Sequence, residues 1–321
     1  MIFIKFKKGQ GLGNQLWNYV TLRSIAKFLS YDYKVLDFEN FKGINFLQID
    51  DSSNNTLKYF EKNLNNFYED LFYDKDLKTI SCNYDESILK VKENTLLNGL
   101  FQSENYLIPN KLIIKDFIKI KKFKFNDNED WENLCILNLR GGEYKRHKNL
   151  ILPKSYWDNA IFNIKKINPK IKFKIVTDDE RYAKNFLNQY EILRGDISTD
   201  FSNLTKAKYL IISNSSFSYF PINLEEKPKV VIAPLHWSRF GNKYNRWASP
   251  ANCYEDFFWQ DSKGKLISKL DVKNSLLSTL HEFKNYNIRS KIGPAKSNNK
   301  IIFNLKKSIK YILNRFFPTI F

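Results

Sequence analysis

The chain has 321 residues, 43% of them hydrophobic and 27% charged, which is enough for two cores of ordinary size and excludes a disordered chain. Lysine and arginine number 52 against 34 acids, a formal charge of +18, so the field favours polyanions, anionic lipid or anionic small molecules without choosing among them. The three cysteines, Cys82, Cys135 and Cys253, lie far apart, which excludes a disulfide framework or a cysteine-based metal site and fits a reduced, cytoplasmic setting.

Residues 2–6 read as a strand, and no long apolar segment follows, so neither a signal peptide nor a spanning helix is expected. Gly9-Gln10-Gly11-Leu12-Gly13-Asn14 is a glycine-rich turn, after which Leu16, Val20, Arg23, Ala26 and Leu29 recur at helical spacing. Lys34-Val35-Leu36-Asp37 reads as the next strand. This β–loop–α–β opening leaves amides free at a helix start, a setting for anions or sugar hydroxyls. Residues 40–95 are polar and predict loops and weakly periodic helices over the first sheet. A strand at 94–101 runs into Gln102-Ser103-Glu104-Asn105-Tyr106, and 107–120 predicts a largely helical stretch. The charged segment 121–132 marks a boundary between a first domain, residues 1–125, and a second, residues 126–284.

In the second domain, strands at 134–139, 173–176, 191–193, 209–212 and 230–233 alternate with helices at 154–167, 180–187, 200–206 and 217–224. Repeated βα units predict a parallel sheet covered on both faces. Residues 285–321 form a polar linker, with Gly293 and Pro294, followed by an amphipathic helix. Ile302, Leu305, Ile309, Leu313 and Phe316 share one face of it, while Lys306, Lys307, Lys310 and Arg315 supply positive charge. That pattern fits an anionic membrane surface, making the protein peripheral on the inner face of the membrane; packing on the domain is the alternative.

The most informative stretch runs from Cys135 to Tyr144, an apolar strand that ends in Arg140-Gly141-Gly142-Glu143. Open α/β sheets bind ligands at the carboxyl ends of their strands, and the planar donor fork of an arginine suits a phosphate. A surface arginine in a tight turn is the plain alternative. Four loops follow predicted strands: residues 9–14, 140–144, 177–179 and 213–216. The last three belong to one sheet and converge at one edge. Together they offer a cation, the carboxylates of Asp178 and Asp179, hydroxyls and free amides, a set suited to a nucleotide diphosphate. Asp178-Asp179 alone reads first as a helix cap.

Gly11-Leu12-Gly13-Asn14-Gln15-Leu16 resembles the Gly-Leu-Gly-Asn-Gln opening of the α-1,2-fucosyltransferases of glycosyltransferase family 11. Phe101-Gln102-Ser103-Glu104-Asn105-Tyr106 resembles that family's Phe/Trp-Gln-Ser-Glu-Lys-Tyr segment, and residues 138–144 its His-x-Arg-Arg-Gly-Asp-Tyr motif. Thr177-Asp178-Asp179, Asn214-Ser215-Ser216-Phe217-Ser218 and the Pro234–Trp237 stretch match further blocks in order. The resemblance implies an α/β, GT-B-like fold: two Rossmann-like domains with parallel sheets facing a crevice, the first on the acceptor side and the second holding the nucleotide sugar. It implies inverting transfer of L-fucose from GDP-fucose, in α-1,2 linkage, to a galactose-like residue of a bacterial-type surface glycan. No cofactor and no obligatory metal are implied, and no Asp-x-Asp flanked by a predicted strand, of the kind metal-dependent transferases use, is read in the sequence.

By resemblance Arg140 holds the β-phosphate with Ser215 or Ser216, Asp196 reaches the guanine, and Asn14 lies near the donor sugar. Gly11, Gly13, Gln15, Asn138, Asp178, Asp179, Asn214 and Phe217 complete the donor set. Glu143 is the carboxylate nearest Arg140 and the first choice of base, while Asp37 and Glu104 also follow strands. Gln102, Trp237, Arg239 and Arg246 are placed toward the acceptor. The chain departs from the pattern where the family's His is Asn138, its second Arg is Gly141 and its Asp is Glu143. Another GDP-deoxysugar or a GDP-heptose is therefore an alternative donor. A nicotinamide-dependent Rossmann oxidoreductase is a further alternative, although Asn14 stands where the fingerprint's third glycine belongs. Nucleic acid is not expected, since no binding motif appears and the basic residues are dispersed. A binding protein with weak catalysis is the last alternative.

Overall fold

The structure is a computed structural model and describes residues 1–52, 64–124, 129–225, 227–285 and 289–292. The expected domain boundary at 125/126 and the amphipathic helix at 300–321 lie outside the described residues. The α/β architecture with parallel sheets is present. In the first sheet, β2 (Tyr33–Leu36), β1 (Ile2–Lys5), Thr95–Asn98 and Asn65–Tyr68 lie side by side in that order, all parallel. Successive residues of β1 face opposite sides of the sheet. Ile2 and Ile4 join the large core under helix α1 (Leu12–Leu29), whereas Phe3 packs with Met1 and Leu36 on the other face.

The second sheet has six parallel strands, in the order Glu191–Ile192, Lys172–Thr177, Leu134–Leu139, Tyr209–Ile212, Val230–Pro234 and Phe258–Gln260. Numbered along the chain, that order is 3-2-1-4-5-6, the doubly wound arrangement whose ligand crevice falls where the order reverses. All six residues of the central strand Leu134–Leu139 are buried, which is why its sequence is a nearly unbroken apolar run. One face of this sheet packs on helix Lys154–Ile167 through Tyr156, Trp157, Ala160 and Ile164. The other face contributes Ile136, Leu210 and Ile212 to the core that also holds Leu16, Trp17 and Val20 of α1. A single apolar cluster therefore ties the two sheets together.

Three stretches differ from their expected form. Within 40–95, Asn65–Tyr68 extends the first sheet, and Leu71–Asp74 pairs antiparallel with Thr79–Cys82. Arg289–Ile292, inside the expected linker, adds a third strand to that hairpin. The helix expected at 107–120 shrinks to the 3-10 turn Lys111–Ile113 and one α turn, Ile114–Phe117. The chain then extends so that Lys119–Ile120 pairs with Leu47–Gln48. Strand Phe258–Gln260 and helix Lys269–Asn285 enlarge the second half beyond the expected set. No helix among the described residues is long and apolar enough to cross a membrane.

Candidate active site

Each sheet has a reversal of strand order beside its first strand, and those two reversals meet. In the first sheet the reversal lies between β1 and Thr95–Asn98, so the loops leaving those strands flank it. One leads into α1 at Gly11, and the other carries Gln102. In the second sheet the reversal lies between Leu134–Leu139, which delivers Arg140, and Tyr209–Ile212, which delivers Ser213 to Ser216. Asn14 joins the two: its Oδ1 accepts hydrogen bonds from Gln102 Nε2 and Ser216 Oγ, both at 2.8 Å. Gly13 makes this approach possible. A Cβ on it would fall 2.5 Å from the carbonyl carbon of Ser216 and 2.6 Å from the nitrogen of Phe217. Gly11, exposed and with nothing within 4 Å of such a Cβ, carries no comparable constraint.

Arg140 is half-buried at the second reversal. Its Nη2 pairs with Asp178 Oδ2 at 3.2 Å, and its Cζ lies 5.8 Å from the centre of the Tyr144 ring. The other Asp178 oxygen accepts from the amide of Gly141 at 2.9 Å, so one carboxylate holds both the arginine and its turn. Gly142 must be small, because a Cβ there would sit 2.4 Å from Asp178 Oδ2. Tyr144 donates its hydroxyl to the carbonyl of Asn214 at 3.0 Å, fastening the arginine turn to the serine loop. Around this point several buried polar atoms have no hydrogen-bond partner among the described residues: Asn138 Oδ1, Arg140 Nε, Ser213 Oγ, and both Oδ1 and Nδ2 of Asn214. Buried polar groups in native proteins are nearly always paired, so a cluster of unpaired ones at a strand-order reversal is a candidate ligand site.

Asp200 adjoins this cluster, although no sequence motif marks it. It lies one turn after Asp196 in helix Ile197–Lys206, close enough to Arg140 for the guanidinium to act on its carboxyl. Burial pushes that carboxyl up to about 7 against the opposing pull of Arg140, with Asp196 and Asp178 adding to the rise. The signal available in sequence was its spacing: Asp196 is an N-cap residue, and a residue four further on shares its helix face.

Other expected site residues are engaged in building the scaffold. Asp179 caps helix Glu180–Phe186 by accepting from the amide of Tyr182 at 2.9 Å, and it pairs with Lys145. Asp196 accepts from the amide of Thr199 at 2.8 Å and from Lys124 at 2.9 Å; the lysine first, then the amide, hold it down to about 2. Gln15 donates to the carbonyl of Asn40 and accepts from the amide of Lys42, which uses both ends of its amide. Ser215 caps the turn Ser216–Ser218, and Phe217 packs against Phe201. Asp37 pairs with Lys5 at 2.9 Å. Trp237 is buried among Tyr254, Phe257 and Trp259. The Arg239 guanidinium donates to the carbonyls of Leu77, Lys78 and Ser238, and Arg246 pairs with Asp74, Asp76 and Glu282. Both arginines thus clamp the 71–82 hairpin.

Two carboxylates differ in a way that bears on chemistry. Glu143 is exposed in the turn Glu143–Arg146 beside Arg140. Glu104 lines a cavity of about 940 Å³ with Ser103, Lys111 and Tyr254. Its oxygens accept from the Tyr219 hydroxyl at 2.8 Å and the Glu255 amide at 3.0 Å, and burial raises its carboxyl. A second cavity, about 860 Å³, lies at the outer end of the six-stranded sheet against Tyr190, Arg194 and Thr199, two strands away from Arg140. Among the described residues no three His, Cys, Asp or Glu side chains are grouped as a metal site would require.

Fold and site together describe a doubly wound α/β protein with an arginine and unpaired polar atoms at its strand-order reversal. No family model matches the chain. Over 291 residues it is 25% identical to the O-antigen biosynthesis glycosyltransferase WbnK of Escherichia coli, spanning 73% of this chain and 94% of that protein. Similar solved structures include a point mutant of Arabidopsis thaliana FUT1 in complex with GDP, at 10% identity, covering 84% of this chain and 79% of that one with a TM-score of 0.45. NodZ α-1,6-fucosyltransferase soaked with GDP-fucose is 13% identical, covering 69% and 92% with a TM-score of 0.42. The E. coli heptosyltransferase WaaC with ADP is 11% identical, covering 88% and 99% with a TM-score of 0.40.

Proposed function

We propose that the chain is a glycosyltransferase that moves a sugar from a nucleoside-diphosphate donor to a hydroxyl of a bacterial surface glycan. The observation that carries this reading is the group of unpaired polar atoms around Arg140 at the reversal of the second sheet. Similarity along nearly the whole of an O-antigen glycosyltransferase supports it independently. The finer assignment is L-fucose from GDP-fucose, in α-1,2 linkage to a galactose-like residue, and it is supported by the ordered motifs between Gly11 and Trp237.

A related GDP-deoxysugar or GDP-heptose is the second reading, and one observation favours it. A Cβ on Gly141 would fall 2.5 Å from the Tyr182 ring, so the second arginine of the family pattern has no room at this position. The diphosphate then meets one guanidinium rather than two.

The reaction is a single in-line displacement. The acceptor hydroxyl loses its proton to a carboxylate and attacks the anomeric carbon, and the nucleoside diphosphate leaves. Arg140 and the polar atoms of Ser213 and Asn214 meet the charge that grows on the leaving group. Glu143 is the preferred base, because it is exposed beside Arg140 while Glu104 is held by Tyr219 and Asp37 by Lys5. No obligatory metal takes part in this scheme. We place the protein in the cytoplasm, with residues 300–321 on the membrane surface, on the strength of their amphipathic pattern.

A panel of nucleotides and nucleotide sugars scored by thermal unfolding tests the proposal, since a true donor raises stability by about 2.7 kcal/mol at a hundredfold excess over its Kd. Stabilisation by GDP and one GDP-sugar, followed by transfer to a galactose-terminated acceptor, is expected. Stabilisation by NAD but by no sugar nucleotide would overturn it.

A further inference from the structure

We infer that Asn252 and Gln102 are positioning residues that set the polarity of Asn14, so that Asn14 offers the donor substrate a hydrogen-bond donor and not an acceptor. Three side-chain amides and one hydroxyl form a continuous chain across the junction of the sheets. Asn252 is buried at the end of the turn Pro250–Asn252. Its Nδ2 lies 3.4 Å from the backbone carbonyl of Gln102, 3.2 Å from Gln102 Oε1 and 3.2 Å from the Tyr254 hydroxyl. Gln102 Nε2 then donates to Asn14 Oδ1, which also accepts from Ser216 Oγ.

Oxygen and nitrogen of an amide are told apart by their network, and here the network has a fixed end. A backbone carbonyl only accepts, so the Asn252 atom facing it is the nitrogen. That nitrogen requires Gln102 to answer with Oε1, which leaves Gln102 Nε2 toward Asn14. Asn14 must answer with Oδ1, and its Nδ2 is the atom left over. Nδ2 makes no hydrogen bond to any described residue, and Asn14 is only half-buried. The orientation of an amide between the two strand-order reversals is thus decided at Asn252, two residues away in the chain of contacts. An oxygen of the nucleotide sugar, on a phosphate or on the sugar, is the group that a free amide nitrogen receives there.

The inference rests on the transferase reading for the identity of the ligand, and on hydrogen-bond polarity alone for the relay. Its test compares the full-length wild type with Asn252→Asp, Gln102→Glu and Asn252→Ala. A carboxylate at 252 or 102 accepts where the native amide donates or relays, so both isosteric variants turn Asn14 around and point Oδ1 at the ligand. They are expected to lose about 10- to 100-fold in kcat/KM for the donor, as for a lost hydrogen bond left with an unpaired partner. Asn252→Ala frees the relay without inverting it and should lose only a few-fold. A packing role predicts the opposite order, with alanine the worst. Repeating the assay at high salt separates polarity from net charge, because the added charge is screened and the inversion is not.

Hydrogen exchange of the Asn14 side-chain amide, followed by NMR without ligand, reads the relay directly. Its exchange should slow about tenfold in both carboxylate variants, as its hydrogens gain partners. Unchanged exchange, or alanine as damaging as aspartate, overturns the relay. A relay confirmed by exchange in a protein that binds no nucleotide sugar would instead overturn the transferase reading.

Discussion

Gly13→Ala isolates the contact on which the joined site depends. Alanine is the best helix former and Gly13 lies in the first turn of α1, so propensity alone favours the change by up to about 1 kcal/mol. The surroundings oppose it. The new Cβ would lie 2.5 Å from Ser216 C, 2.6 Å from Ser216 O and 2.6 Å from Phe217 N, all backbone atoms that cannot swing aside. Ordinary carbon contacts need roughly 3.5 Å, so α1 and the serine loop must separate by about 1 Å. Overpacking of this kind costs about 1–3 kcal/mol, which outweighs the helical gain. The functional loss is larger, because a displacement of about 1 Å in a positioned site costs on the order of 100-fold. Separation also stretches the 2.8 Å bond from Ser216 Oγ to Asn14. The control is Gly11→Ala, whose Cβ meets nothing within 4 Å and whose cost is the cap preference alone, under about 1 kcal/mol. Thermal unfolding and nucleotide-sugar binding, measured side by side, check this. If Gly13→Ala melts and binds like the wild type, the close approach of helix and serine loop is not what holds the site.

Three further outcomes follow from the same geometry. Arg140→Lys should lower transfer by about 10²–10³, since a point charge cannot keep both the Asp178 contact and a planar grip on phosphate; near-normal turnover would remove Arg140 from the mechanism. Asp200, raised to about 7, keeps its proton in the folded state between about pH 4 and 7 while the unfolded chain loses it. Its stabilising contribution is therefore whole at low pH and lost as pH rises through that window, by at most about 1.4 kcal/mol per unit. Glu69, raised by burial to about 7, adds the same sign, so Asp200→Asn should reduce the slope of urea midpoints against pH without abolishing it; an unaltered slope refutes the assignment. Arg246→Ala withdraws the guanidinium from the fully buried Asp74 and should cost about 3–5 kcal/mol in denaturant titration, with a loss below about 1 kcal/mol counting against the clamp.

The strand ends were legible because buried parallel strands write themselves as apolar runs: Tyr209–Ile212 does so without interruption, and Leu134–Leu139 with only Asn138 breaking it. Asn65–Tyr68 has no such run; it is mostly exposed, and only its pairing with Thr95–Asn98 makes it a strand. Residues 111–117 begin as the periodicity suggests, but Lys119–Ile120 is drawn into pairing with Leu47–Gln48, a distant partner that no local pattern shows. The site divides along a similar line. Motifs identify residues that the site needs without saying for what. Gln15, Asp178, Asp179 and Asp196 stand beside Arg140 in the expected site, yet each directs its polar atoms to protein partners: a loop, an arginine and its turn, and two helix starts. Asn138, Arg140, Ser213 and Asn214 have buried polar atoms with no partner among the described residues. Such pairing is settled by distances of a few tenths of an ångström between elements far apart in sequence, which spacing along the chain does not encode. On the proposed reading, the unpaired set is the part of the motif that would meet a substrate, and the paired set is the frame that holds it in place.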